Sequence, residues 1–287
     1  MIPAAFDYTR PASLDEALKL LSNGSGSKVI AGGQSLLPLL KLRLASADRL
    51  VDIGRLGELK GVRSLPDGRL AIGALTTYAE LLESPAKHYG LLKDALPSIG
   101  DVQVRNRGTV GGAIAHADPA SDLPACLLAL DAEVVARSSG GERTIPIVDF
   151  FQDSFQTAIA DDELLTEVRL PGPRDDAGSA YSSLEQPASG YAIVGVASVV
   201  VRPSAGAPIS FASVAITGVG PVAYRASAVE KALTGSDGSA AAIAAAAAHA
   251  TDGVTVNSDI HADREYRTEM ARVFTIRAIE AALARLG

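Results

Sequence analysis

Apolar positions along the chain recur with periods of about 3.6 and about 2 residues, and the switches between them mark off its elements. Downstream of Ser13, the residues Ala17, Leu18, Leu20 and Leu21 share one helical face, with Asp15 and Glu16 in the first turn. A serine N-cap followed by acids predicts a helix there, and Gly24 is expected to end it. Residues 28–31 (KVIA) and 50–53 (LVDI) are short runs of the buried-strand kind, and 36–44 between them reads as a short helix or a packed loop. A second unit starts near Gly57. It holds a strand over 69–74, a helix over 78–82 capped by Thr76, a helix over 91–99 and a glycine-rich turn over 108–113. A helix over 122–130 and a strand over 133–136 follow, and segments 146–151 and 164–170 close the unit.

Prolines, a glycine and charges at 171–176 mark a linker. Beyond it, segments near 179–185, 191–202 and 209–217 predict three antiparallel strands, and helices over 226–233, 239–250 and 263–286 finish the chain. The last helix sets Met270, Val273, Phe274, Ile276, Ile279 and Leu283 at helical spacing. No repeat of fixed period is present.

The 287 residues allow two domains, and 47% apolar with 21% charged residues is the usage of an ordered globular chain. The net charge of -7 comes with no basic stripe, which argues against a nucleic-acid partner. A single cysteine, Cys126, excludes an internal disulfide. It also excludes an iron–sulfur cluster held by this chain alone, which takes about four cysteines. The opening MIPAAFDYTRP lacks a signal-peptide pattern, and the alanine-rich run 239–250 is shorter than the roughly 20 residues of a membrane span. The expectation is a cytoplasmic protein with no membrane span.

Candidate chemistry gathers in two glycine segments. One is Ile30-Ala31-Gly32-Gly33-Gln34-Ser35-Leu36; the other is Gly108-Thr109-Val110-Gly111-Gly112-Ala113. Glycine admits positive φ and close backbone approach, and successive amides in such bends form an anion-binding nest. Gln34, Ser35 and Thr109 add side-chain donors, so two such turns can grip one diphosphate from both sides. Paired glycines are also ordinary turn punctuation. Neither segment matches the dinucleotide fingerprint G-x-G-x-x-G or the P-loop. Ser35 lies in G-Q-S-L, not in a nucleophile elbow. His88, His116, His249 and His261 lack metal-ligand spacing. His116 and Asp118 either line a ligand site or form a hydrogen-bonded loop pair. Arg105 and Arg107 either serve a diphosphate's field or face water or a partner. Cys126 reads as a buried, inert thiol.

The segments AGGQSLLPLLKLRL (31–44) and RNRGTVGGAIAHADPASDLPA (105–125) resemble the two flavin-binding signatures of the molybdenum hydroxylase medium subunits. That family includes the carbon monoxide dehydrogenase and quinoline oxidoreductase medium subunits, and its counterpart in xanthine dehydrogenase is the central FAD domain. The similarity extends over the FDYTRPASLDEALKLL opening, ELLTEVRLP and EYRTEMARVFTIRAI, and so over essentially the whole chain. It implies an α+β fold. A p-cresol methylhydroxylase-type FAD-binding domain would span 1–173, in two α/β subdomains of about 1–56 and 57–173. A domain of the CO dehydrogenase flavoprotein C-terminal kind, with a three-stranded antiparallel sheet and a helical bundle, would span 174–287.

By the same resemblance, Ile30, Ala31, Gly32, Gly33, Gln34, Ser35 and Leu36 wrap the FAD diphosphate. Thr109, Val110, Gly111, Gly112 and Ala113 complete the cradle. Asp122 bonds the nucleotide portion, Ile99 lies against the isoalloxazine ring, and Leu165 and Tyr191 are further flavin-site positions. The implied role is electron relay: from two 2Fe-2S clusters on a small subunit to FAD here, then to an external acceptor. A large molybdenum-cofactor subunit oxidises the substrate, in a dimer of heterotrimers. No catalytic side chain and no metal ligand is expected in this chain. A stand-alone flavin oxidase and a cofactor-free scaffold are the alternatives.

Departures from the family pattern also stand in the sequence. Carbon monoxide dehydrogenase subunits often read AGGHS where Gln34 stands here, GDPGND where 117–122 read ADPASD, and KLKRK where 183–187 read SLEQP. Glu185 falls near a position that is lysine in xanthine dehydrogenase. These differences weigh against carbon monoxide as substrate and imply a different charge beside the flavin.

Overall fold

The protein is described by a computed structural model covering residues 2–23, 26–204 and 206–286. Its first layer contains β1 (Asp7–Thr9), α1 (Leu14–Ser22), β2 (Ser27–Ile30), α2 (Leu36–Leu42) and β3 (Arg49–Asp52). The Ser13 hydroxyl accepts the Glu16 N–H, as the N-cap pattern requires. Asn23 is the C-cap, and its side chain donates to the Lys19 carbonyl. Gly24, expected to end α1, lies outside the described residues. Leu14, Leu18 and Leu21 pack on Val51, Ile53 and Leu56. Each such burial contributes about 1.5–3 kcal/mol. The strands run parallel in the order β1-β3-β2, with Ile30 opposite Asp52. The chain therefore leaves β2 at the carboxyl edge of a parallel sheet, where α/β folds bind ligands.

The second layer contains β4 (Val62–Ser64), β5 (Leu70–Gly73), α3 (Tyr78–Leu82), α4 (Gly90–Ser98), α5 (Val102–Arg105), α6 (Val110–His116) and α7 (Asp122–Ala129). It continues with β6 (Glu133–Ser138), β7 (Gly141–Pro146), β8 (Phe151–Asp153), β9 (Gln156–Thr157) and β10 (Leu164–Leu170). Five of these strands form an antiparallel sheet in the order β4-β5-β10-β6-β7. The last strand, β10, thus lies in its centre, which explains its near-continuous burial. Two expectations are corrected here, the cap of α3 and the turn over 108–113. The cap of α3 is Thr77, not Thr76: Thr77 and Glu80 form a reciprocal capping box. Thr76 is buried and bonds both backbone groups of Gly61. The glycine-rich turn over 108–113 is mostly the start of helix α6, with Thr109 as its N-cap. Segment 146–151 is the end of β7, a 3₁₀ turn (Ile147–Asp149) and the start of β8.

The third layer contains β11 (Ala177–Glu185), β12 (Ala192–Val201), β13 (Phe211–Thr217), β14 (Tyr224–Arg225), α8 (Ser227–Leu233), α9 (Ala240–Ala247) and α10 (Arg264–Leu283). The three expected strands pair antiparallel, and the two-residue β14 extends the sheet at its edge. Strand alternation sorts residues to two faces. Val194, Val196 and Val200 of β12 pack on the side of α8–α10, while Ala197 faces the core containing α4 and α7. Every residue of α7 is buried, because it is clasped between this sheet and the second layer. Among the described residues, no helix is long and apolar enough to cross a membrane.

Leu127 of α7 is 1% exposed. Leu127→Ala is expected to lower the unfolding free energy by about 2–5 kcal/mol in urea denaturation. A loss below about 1 kcal/mol would mean that α7 is not part of a shared, tightly packed core.

Candidate functional site

After Ile30 the chain bends through Ala31-Gly32-Gly33-Gln34-Ser35 into α2. Gly33 takes φ +74°, in the left-handed region, and Ser35 returns to φ -98°, ψ -49°. A left-handed residue followed by a right-handed one aims successive N–H groups to one side. Among the described residues, the amides of Gly32, Gly33, Gln34, Ser35 and Leu36 donate to no acceptor in the chain. Donation resumes at Leu37, whose N–H meets the Gly33 carbonyl at 3.1 Å. The loop is only partly buried and Gln34 is exposed, so these donors face a ligand or water.

The second glycine segment lies directly against the first. A Cβ on Gly32 would sit 2.0 Å from the Arg107 carbonyl oxygen and 3.1 Å from Gly108 Cα. Most of its amides, however, are spent internally. Val110 N–H donates to the Thr76 carbonyl (2.9 Å), Gly111 to Ala74 (2.8 Å), Gly112 to the Thr109 hydroxyl (3.1 Å) and Ala113 to the Thr109 carbonyl (3.0 Å). Of the second segment only the Thr109 N–H is, among the described residues, left without an acceptor, so the first segment supplies most of the free amides and the second mainly shape. A β-bulge explains part of that shape. Register shifts between Leu165 and Glu167, and the Thr166 carbonyl accepts the Ala74 N–H. Ala74 in turn holds Gly111 so closely that a Cβ there would lie 2.5 Å from the Ala74 Cβ. Gly112 is exposed, with only the Thr109 hydroxyl (2.7 Å) and Ala31 Cβ (3.9 Å) near its absent side chain.

The other expected residues occupy different settings. Tyr191 is 40% exposed. Burial and the Asp118 carboxylate raise its pKa, and the Ser35 side chain opposes them. A cavity of about 100 Å³ beside it is walled by Pro119, Gln186, Ile193, Asp259 and the buried Arg267. Ile99 is the half-buried C-cap of α4. Leu165 is buried in β10, against which α6 packs. Asp122 is 4% exposed, and its Oδ1 accepts the Tyr181 hydroxyl at 2.5 Å. Burial pushes its carboxyl up to about 7, and the charges of Glu185 and Asp118 add to that, while the Tyr181 bond works the other way.

Arg105 does neither of the things considered from sequence. Its guanidinium takes the carbonyls of Pro97, Ile99 and Gly100 and so closes the end of α4. The Arg107 side chain is exposed. His116 stacks at a tilt on Phe155, 5.1 Å between centroids, and burial lowers its pKa. Cys126 is fully buried, as expected. Among the described residues, no group of His, Cys, Asp or Glu could hold a metal ion.

Sequence reasoning missed Tyr181 and Gly195. A Cβ on Gly195 would lie 2.0 Å from the Tyr181 hydroxyl oxygen, so glycine lets the phenol cross β12 to reach Asp122. Nothing local to β11 announces that reach, because it depends on a cross-strand neighbour. The missed Tyr78, on α3, lies against Gly108: a Cβ there would be 2.7 Å from its ring.

A run of unpartnered amides, a glycine with no room for a side chain and an open rim at Gly112 suit the diphosphate of FAD. The fold and this loop define a flavin-binding protein of α+β type. Residues 4–173 match the family "FAD binding domain in molybdopterin dehydrogenase", and residues 179–282 match the "CO dehydrogenase flavoprotein C-terminal domain". The carbon monoxide dehydrogenase medium chain of Hydrogenophaga pseudoflava is 39% identical, over 99% of both chains. The 6-hydroxypseudooxynicotine dehydrogenase complex subunit alpha of Paenarthrobacter nicotinovorans is 40% identical, over 99% of this chain and 97% of that one. A solved carbon monoxide dehydrogenase structure from Hydrogenophaga pseudoflava superposes with a TM-score of 0.95 at 40% identity, covering all of both chains. The chain belongs to the FAD-binding medium subunits of the molybdenum hydroxylases, and it is an oxidoreductase component.

The glycines separate shape from fold. Gly112→Val should melt within a few degrees of the parent yet lose FAD, because its side chain stands at the cradle's rim. Gly111→Val should fail to fold, since its Cβ would strike Ala74. Gly33→Ala costs about 1–2 kcal/mol of backbone strain. Thermal melts and flavin absorbance of the three variants read these outcomes; full flavin retention in Gly112→Val contradicts the cradle.

Asp122 predicts a pH effect on stability. The folded carboxyl holds its proton to about 7, against 3.8 for an ordinary aspartate. Between these values the folded state binds more protons, so stability falls as pH rises through that window and levels off above it. Asp122→Asn keeps an acceptor for Tyr181 and removes the slope. The variant should match the parent in acid and exceed it in stability at about pH 8, measured by urea midpoints.

Proposed function

We propose that this chain holds one FAD, with the diphosphate on the amides of Gly32–Leu36, and passes electrons from an iron–sulfur subunit to an external acceptor. The observation that carries this reading is the five-amide run held against Arg107 and Gly108. Ile30 and Ala31 lead the chain into the cradle, and Thr109, Val110, Gly111, Gly112 and Ala113 form its far wall. Ile99, Leu165 and Tyr191 border the flavin. Asp122 offers the nucleotide its Oδ2, since Oδ1 is taken by Tyr181.

Bound FAD supplies the exchange between single and paired electrons. The chain's residues bind and orient it, exclude water and set the local charge; none acts as acid or base on the organic substrate. We assign the FAD-binding domain to 1–173, with subdomains of about 1–56 and 57–173, and the C-terminal domain to 174–287. The partners are a large molybdopterin subunit and a small subunit with two 2Fe-2S clusters, assembled as a dimer of heterotrimers in the cytoplasm. The named relatives act on carbon monoxide and on 6-hydroxypseudooxynicotine, so the substrate class is carbon monoxide, an aldehyde, a purine or an N-heterocycle, chosen on the large subunit. The acceptor is a quinone, NAD or oxygen.

The test is direct. The purified folded chain, alone or in its complex, should carry or take up about one FAD per chain, with flavin absorbance and quenched fluorescence on binding. A folded chain that binds no FAD from a saturating solution overturns the reading.

A further inference from the structure

The backbone of Gly108 does not itself call for glycine. Its φ lies outside the left-handed region, and a side chain is excluded there chiefly by the Tyr78 ring. A Cβ at Gly108 would lie 2.7 Å from Tyr78 Cε2 and 3.1 Å from Cδ2, with the Val104 carbonyl oxygen also at 3.1 Å. The Cα of Gly108 is in turn 3.1 Å from the place of the missing Gly32 Cβ. Gly108 thus touches the ring and the first cradle loop at once. Packing this close transmits any change of volume to its neighbours.

Tyr78 is poorly placed to give way. It is 6% exposed and part of the core that also contains α4, α6 and α7. As the first residue of α3, it follows the reciprocal Thr77–Glu80 capping box, which fixes the direction of the first turn. The two backbones are also tied side by side. Tyr78 N–H donates to the Gly108 carbonyl at 3.2 Å, Val110 N–H donates to the Thr76 carbonyl at 2.9 Å, and Thr77 pairs with Thr109 as an isolated antiparallel bridge. On its other flank, Gly108 N–H donates to the Val104 carbonyl at 2.6 Å. The start of α3 is therefore a fixed rail along the second cradle loop, and the ring is the part of that rail on which Gly108 rests.

We infer that Tyr78 is a positioning residue of the cofactor cradle: its ring sets how far the second loop stands from Gly32. It acts through Gly108, and the gap it sets governs how the diphosphate fits between the free amides of Gly32–Leu36 and the wall at Arg107 and Gly108. A shorter side chain at 78 lets that wall draw back from Gly32. A side chain added at 108 has the opposite effect, because the ring is held in the core and the loop must move instead. Both changes misplace the wall relative to the amides, and a pair of changes that cancel in volume should restore it.

This inference rests on FAD binding at the glycine loop, and the experiment separates the two. The full chain, alone or in its complex, is freed of flavin and titrated with FAD by fluorescence quenching. Gly108→Ala should weaken binding at least about tenfold. Tyr78→Leu, which ends short of Cε2, should also weaken it. The double variant should bind about tenfold more tightly than Gly108→Ala alone, since the lost ring atoms make room for the added Cβ. Phenylalanine keeps the ring, so Tyr78→Phe should bind at least about fivefold more tightly than Tyr78→Leu. Circular dichroism of the bound flavin reads its seating apart from stability: Tyr78→Phe should keep the parental bands, and Tyr78→Leu should change them. A double variant that binds no better than Gly108→Ala, or equal losses in Tyr78→Phe and Tyr78→Leu, overturns the positioning role alone. The comparison of the two Tyr78 variants decides the matter by itself if Gly108→Ala does not fold. A folded parent chain that takes up no FAD defeats the binding reading, and this inference with it.

Discussion

At Gly32 the backbone of one segment occupies the place where another residue's side chain would begin. The Arg107 carbonyl oxygen lies 2.0 Å from that missing Cβ. This contact brings two loops 75 residues apart in the chain into one cradle, and the geometry of the site follows from it. Any larger residue at Gly32 must drive the loops apart, since the obstruction is backbone rather than a movable side-chain tip. The contact also leaves the division of labour visible. On one side the amides are free because Gly33 turns left-handed before α2 starts. On the other side those of Val110 to Ala113 are consumed by Thr76, Ala74 and Thr109, which hold the start of α6 beneath the opening.

Rigidity around the cradle is shared by all three layers. The bulge at Thr166 seats Ala74, Ala74 seats Gly111, and α6 is thereby fixed to the central strand of the five-stranded sheet. Helix α7 is covered on both sides, so the third-layer sheet cannot separate from the second without exposing a continuous apolar core. Hydrogen bonds from Ser213 to Ala129 and from Thr217 to Pro119 and Ser121 run along the same seam. Such a frame keeps the shape of the cradle fixed, as the orientation of a bound cofactor requires. Along the seam the Tyr181 hydroxyl meets Asp122, Arg105 closes the end of α4, and Arg225 pairs with Asp131 and Glu230.

Much of the architecture was legible because it is written in local periodicity. The stripe after Ser13 made α1, and the LLPLLKL segment, left open between helix and loop, became helix α2. Most of its leucines are not deeply buried, so periodicity had little to decide with. The cap of α3 was misplaced by a single residue because Thr76 and Thr77 are chemically identical. Only the Gly61 contact and the Glu80 box distinguish them. The short edge strands β1, β4 and β14 carry two or three residues each, too few to show alternation. Arg105 was read as a ligand or surface charge, since nothing in RNRGTVGG signals that its guanidinium turns back to close α4.

What the sequence determined by itself was the kind of backbone: where glycine permits left-handed turns, where helices start, and which signature segments make the chain a flavin-binding medium subunit. Those properties reside in neighbours along the chain. Tertiary structure alone decided which amides stay free, because that depends on distant carbonyls such as those of Thr76 and Ala74. It decided equally that Asp122 lies enclosed with Tyr181, since the phenol's path exists only where Gly195 of the adjacent strand leaves room. Hydrogen-bond satisfaction and desolvation are sums over everything nearby in space, and no window of sequence contains them.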